Sequence, residues 1–103
     1  MDISIKRDME ANLYVKAIGK LDLDSSAEYG MAINDAIDDN DNINALILDF
    51  SEINYIASIG LRILLEIYQK LGKTCEIRMI KPQPQVLEVI KMTGFDKFLK
   101  VYN

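Results

Sequence analysis

A single α/β domain, with a mixed sheet of four to five strands and helices carried on its crossovers, is the fold class that this 103-residue chain predicts. Three observations lead there. Ile3 and Ile5, then Leu13 to Ile18, alternate with polar neighbours as two half-buried strands do, and Met9–Asn12 between them reads as a hairpin turn. Ala45 to Phe50 is a continuous apolar run, the pattern of a strand covered on both faces. Segments of helical period lie between the later strands. A hairpin followed by α-β-α-β-α requires parallel strands joined by helical crossovers.

The elements follow in order. Gly19 breaks the second strand. Ser25 opens a helix, with Glu28 three residues on in the spacing of a capping box, and Tyr29, Ile33, Ala36 and Ile37 give that helix one apolar stripe. After the apolar strand, helical periodicity begins at Ser58 and ends at Gly72, a suitable C-cap. Glu76 to Ile80 form the fourth strand. Pro82 and Pro84 punctuate the start of a third helix that runs through Met92 to Gly94. The closing FDKFLKVY is a short helix or strand that covers a sheet edge. No repeat, linker or low-complexity tract divides residues 1–103, which read as one domain.

Composition bounds the function. Half the residues are hydrophobic and 27% are charged, an ordinary globular balance. The net charge of −4 and scattered Lys and Arg argue against direct nucleic-acid binding and against an anionic membrane. No apolar run approaches the ~20 residues needed to span a bilayer. MDISIKRDME is unlike a secretory leader, so the expected address is cytoplasmic. With no histidine, Ser-His and Cys-His nucleophile pairs are excluded, and the lone Cys75 can form neither a disulfide nor a thiolate cluster within the chain. Asp38, Asn40 and Asn42 have the alternate spacing of a calcium loop, but Ile43 stands where glycine is needed and Asp49 belongs to a strand. Asp22 and Asp24 could pair as acid and base, yet no nucleophile or oxyanion motif accompanies them. No catalytic residue, metal or cofactor is expected.

Ser58 carries the functional signal. A serine where a helix begins is either an N-cap or a phosphorylation site, since unpaired N–H groups and the helix dipole favour an acceptor or an added negative charge. On the helix that follows, Leu61, Leu64, Leu65, Tyr68 and Leu71 suit a sheet, while Ile59, Ile63 and Ile67 widen the apolar arc to about 200° at 100° per residue. The surplus points to Ile59 and Ile63 as a partner-binding surface, unless a neighbouring helix covers them. Arg62 and Glu66 form an i, i+4 surface pair.

DFSEINYIASIGLRILL resembles the signature of the STAS domain, the anti-sigma factor antagonist family: a strand ending in Asp-x-Ser, an aromatic or aliphatic pair, then a serine shortly before Gly-Leu. Upstream, GKLDLDSSAEY is similar to the family's second landmark, Gly-x-Leu-Asp followed by Ser or Thr and Ala near a helix start. The resemblance spans nearly the whole chain. It implies a domain whose unphosphorylated form binds an anti-sigma factor with serine-kinase activity and frees a sigma factor. A phosphatase acting on phospho-Ser58 would reset it. The family's acceptor serine falls on Ser58 and its aspartate on Asp22, and the implied partner-binding residues are Asp22, Asp24, Ser25, Ile56, Ala57, Ile59, Gly60, Arg62 and Ile63. Two positions depart from the pattern: Ala57 where many members carry aspartate, and Ile59 where many carry Ser, Thr or Ala. These departures suit an alternative, a non-switching STAS scaffold in a signalling or lipid-transport assembly. A small enzyme or nucleotide-binding protein using the Asp22 and Ser58 loops is the third class, disfavoured because no glycine-rich phosphate cradle is present.

Overall fold

A computed structural model describes residues 1–102. The chain runs β1 (Asp2–Arg7), β2 (Asn12–Leu21), α1 (Leu23–Asp38), β3 (Ala45–Asp49), β4 (Ile53–Ile56), α2 (Ser58–Leu71), β5 (Glu76–Ile80), α3 (Pro84–Thr93), a 3-10 turn Phe95–Lys97 and β6 (Lys100–Tyr102). β1 and β2 form the antiparallel hairpin, and the path β1-β2-β3-β5-β6 is otherwise parallel. Each crossover from β2 steps the same way along that path. Right-handed connections therefore put the three helices on one face of the sheet.

That face holds the core. Leu13, Val15 and Ala17 of β2, Leu46 and Leu48 of β3 and Ile77 and Met79 of β5 are buried in register beneath Tyr29, Ile33, Leu64, Ile67, Val86 and Ile90 from the helices. The opposite face has no helix. Ile47 is nevertheless buried there, because its cross-strand neighbours Tyr14 and Arg78 flank it.

The mixed α/β fold expected from the sequence is the fold observed, and four local features differ. The hairpin turn is Asp8–Ala11, held by the Asp8 carboxylate accepting from the backbone N–H groups of Glu10 and Asn12 (2.9 Å each) with Ala11 at φ 63°. Gly19 does not end β2. At φ 122° it marks a register shift, after which β2 leaves its pairing with β3 and pairs with β4. β4 itself is a further strand not expected from the sequence. The N-cap of α1 lies three residues earlier than expected: Asp22 is the cap and Ser25 the third helical residue, so the capping box is Asp22–Ser25 and not Ser25–Glu28. Glu28 instead accepts from the Met1 amine at 3.1 Å. The closing segment is both a helical turn and a strand, and β6 covers the β5 edge. Gly94 ends α3 with a left-handed φ of 77°.

Candidate functional site

Pairing of β2 with β4 places two helix starts side by side. Leu21 faces Ile56, and the Ala57 N–H donates to the Leu21 carbonyl at 2.9 Å. The next residue along each chain enters a helix: Asp22 caps α1 and Ala57 is the N-cap of α2. The close approach depends on Gly60. A Cβ there would lie 2.8 Å from Ile56 Cγ1, 3.1 Å from Leu21 Cβ and 3.2 Å from the Leu21 carbonyl oxygen.

The two starts are electrostatically unlike. Asp22 accepts the Ser25 N–H at 3.2 Å, while Ser25 Oγ accepts the Asp22 N–H at 2.9 Å and donates to the Lys20 carbonyl. Bonds to its carboxylate from Ser25, the backbone N–H first and then the hydroxyl at 2.9 Å, hold the Asp22 carboxyl below the usual carboxylate range. α1 thus begins capped, with Asp24 also in its first turn. α2 has neither device. Its N-cap is alanine, no side chain caps it, and its first turn holds no acid. Ser58 is the first helical residue, one position past the cap, so the N-cap role considered from sequence does not apply. Its side chain is exposed and makes no hydrogen bond among the described residues.

The expected site residues divide by burial. Asp22, Asp24, Ser58 and Arg62 are exposed, and Ser25, Ala57, Ile59 and Ile63 are half-buried. Ile56 and Gly60 are buried and shape the surface from beneath. Ile63 lies against α1, where a Cβ on Gly30 would come within 3.0 Å of its Cγ2. Ile67, assigned to the apolar surplus, is a core residue. Two features were passed over in the sequence. Leu23, between the two aspartates, is 72% exposed and gives the site an apolar rim. Between α1 and α2 runs a shallow groove of about 440 Å³ lined by Gly30, Met31, Asn34, Ile63, Glu66 and Lys70. Its signal was a glycine in mid-helix beside an unpartnered methionine.

Outside the site, burial pushes the Cys75 thiol pKa up, which disfavours thiolate chemistry. Asn40 Oδ1 accepts from Arg7 at 3.3 Å, so the spacing seen at residues 38–42 serves a turn. Among the described residues no helix is long and apolar enough to cross a membrane.

An exposed serine at a helix start, seated by parallel pairing beside an Asp-capped helix, fits the two sequence landmarks that resemble an STAS domain. The family model for that domain matches residues 2–103, and the chain belongs to the family. Proteins similar to it include anti-sigma factor antagonists. The anti-sigma-F factor antagonist RsfB of Mycobacterium tuberculosis is 27% identical over 85 residues, 82% of this chain and 68% of the relative. An anti-sigma factor antagonist from Mycobacterium paratuberculosis superposes with a TM-score of 0.86 at 28% identity, over 98% of this chain and 84% of the other. SpoIIAA in its unphosphorylated form gives 0.80 at 16% identity, over 99% and 89%, a likeness of fold.

Proposed function

We propose that this chain is an anti-sigma factor antagonist that acts by binding and not by catalysis. Its unphosphorylated form docks an anti-sigma factor serine kinase over the paired helix starts and so releases a sigma factor. Phosphorylation of Ser58 reverses the docking and a phosphatase restores it, all in the cytoplasm. The observation that carries this reading is Ser58 itself, exposed at the first position of α2 with its hydroxyl unbonded among the described residues.

The physics of the switch is local. Phosphate adds about −1.5 to −2 charges at pH 7 and three acceptor oxygens. The first-turn N–H groups of α2 have no internal partner and can receive those oxygens, so the fold need not rearrange. A partner seated on Asp22, Leu23, Asp24, Ile59 and Arg62 would instead meet charge and bulk inside a desolvated contact. A penalty of ~3 kcal/mol weakens binding about a hundredfold.

The test is binding to a cognate anti-sigma kinase with ADP and then ATP. Wild type and Ser58→Ala should bind, while Ser58→Asp and wild type given ATP should not. Ala57 and Ile59 favour a second reading, a non-switching STAS scaffold. Binding that is indifferent to ATP and to both substitutions would select it.

A further inference from the structure

Four residues of α2 stand four apart in a row that turns about 40° at each step: Ser58, Arg62, Glu66 and Lys70. Residues at this spacing are neighbours on a helix surface, with Cβ atoms about 5–6 Å apart. At present Arg62 Nε contacts Glu66 at 3.3 Å, and both side chains are open to water, at 71% and 54% of full exposure. Lys70 donates to Asn34 Oδ1 on α1 at 3.2 Å, across the groove between the helices.

We propose that this row is a re-pairing ladder in which phosphate on Ser58 takes Arg62, Glu66 takes Lys70, and Asn34 is released. The proposal rests on the phosphorylation reading and adds the route by which it spreads along α2. The direction follows from helix geometry. Side chains lean toward the helix N-terminus, so Arg62 leans toward Ser58 and away from Glu66. An acid N-terminal to a base at i, i+4 is the better order. Arg62–Glu66 has the poorer order. Both pairs of the phosphorylated ladder, phospho-Ser58 with Arg62 and Glu66 with Lys70, have the better one.

Arg62 also gains a stronger partner, because a phosphate dianion offers a guanidinium paired, charge-assisted bonds where Glu66 now receives a single contact. Phosphorylation therefore turns one weakly ordered pair and one cross-helix bond into two well-ordered pairs on a single helix. The change reaches about 18 Å from Ser58, twelve residues at 1.5 Å each. It alters the rim of the α1–α2 groove as well as the docking surface.

The test uses the full chain with phosphoserine installed at position 58 during translation, so that no kinase is needed. Phosphorus NMR follows the second ionisation of the phosphate, ordinarily near pH ~6. Arg62→Gln should raise that pKa above wild type by about half a pH unit, roughly a threefold change in proton affinity. Glu66→Gln, which removes the competitor for Arg62, should lower it. The Asn34 side-chain amide resonances should differ between the phosphorylated and unmodified wild type, and this difference should vanish in Arg62→Gln. Equal phosphate pKa values in wild type and Arg62→Gln would overturn the ladder, as would an Asn34 response that persists without Arg62. A kinase that fails to modify Ser58 would sink the phosphorylation reading and leave these results unaffected.

Discussion

Replacing Gly60 with alanine puts the seating of the site on a quantitative footing. The helical gain from alanine is about 1 kcal/mol. Against it stand three contacts that a methyl group at this position would make, at 2.8 Å from Ile56 Cγ1, 3.1 Å from Leu21 Cβ and 3.2 Å from the Leu21 carbonyl oxygen. None can yield cheaply. Ile56 is β-branched and buried, and the Leu21 backbone is fixed by pairing with β4. Overpacking against such neighbours costs typically 1–3 kcal/mol. Allowing for the helical gain, the net loss should be about 1 kcal/mol, with the α2 start displaced from Leu21. Urea unfolding should show a midpoint lower by roughly 0.5 M for a slope near 2 kcal/mol per M. Gly30→Ala is the matched control, since it would meet only the half-buried Ile63 side chain, at 3.0 Å from Cγ2 and 3.5 Å from Cδ1, and no backbone atom. Ile63 is only half-buried and lines the groove, so it can give by the few tenths of an ångström required, and Gly30→Ala should stay within about 0.5 kcal/mol of wild type. Gly60→Ala as stable as wild type, or less damaging than Gly30→Ala, would refute the account of how α2 is seated.

Tyr29→Phe should leave stability unchanged or raise it by up to about 1 kcal/mol, because the Tyr29 hydroxyl is buried without a hydrogen-bond partner among the described residues. A loss above 1 kcal/mol in urea unfolding would show that the hydroxyl has a partner in solution. Asp22→Ala removes the α1 cap and should lower the melting temperature by a few degrees, whereas Asp22→Asn should lower it less. Equal effects would assign the loss to charge and not to capping. The bonds from Arg78 and then Lys100 hold the Glu76 carboxyl down to about 2 from an ordinary 4.5. A lowered carboxyl stabilises the fold above its unfolded value, so this contribution is complete above about pH 4.5 and is lost as pH falls toward 2. Glu76→Gln should flatten stability over that window, which acid titration followed by circular dichroism would detect.

The frame of the fold was legible because periodicity reports burial, and burial reports layers. The alternation at Ile3 and Ile5, the solid run at Ala45–Phe50 and the helical spacing after Ser58 each specify one element without reference to the others. What escaped depended on distant pairing. Two capping boxes overlap in LDLDSSAE, Asp22 with Ser25 and Ser25 with Glu28, and nothing local decides between them. β4 decides, because it pairs with β2 as far as Leu21 and leaves Asp22 as the first residue free to cap. β4 itself was hidden: its buried residues Ile53 and Ile56 are three apart, which is not a strand period. Gly19 looked like a break because the sequence shows the glycine and not the second partner that the strand acquires beyond it. The width of the apolar arc on α2 posed the same problem. Gly30, which the sequence shows only as a glycine in mid-helix, makes room for Ile63.

The departure at Ala57 has a consistent physical meaning in this setting. An aspartate N-cap would place one negative charge at the start of α2 and accept one of its free N–H groups, as Asp22 does for α1. Alanine leaves those donors uncommitted, and the first turn of α2 holds no other acid. A phosphate on Ser58 would then be the first anion on α2's own start, with no carboxylate in that turn to repel it, the Asp22 carboxylate being engaged as the cap of the neighbouring helix. The unmodified protein forgoes a cap worth about 1 kcal/mol, and the phosphorylated protein regains an anion at the same place. Phosphorylation on these terms should stabilise the isolated domain while it weakens docking. A higher urea midpoint for the phosphoserine protein than for Ser58→Ala would support that pairing of effects. A lower one would mean that the start of α2 repels the phosphate, and that Ala57 marks a helix start not built to receive it.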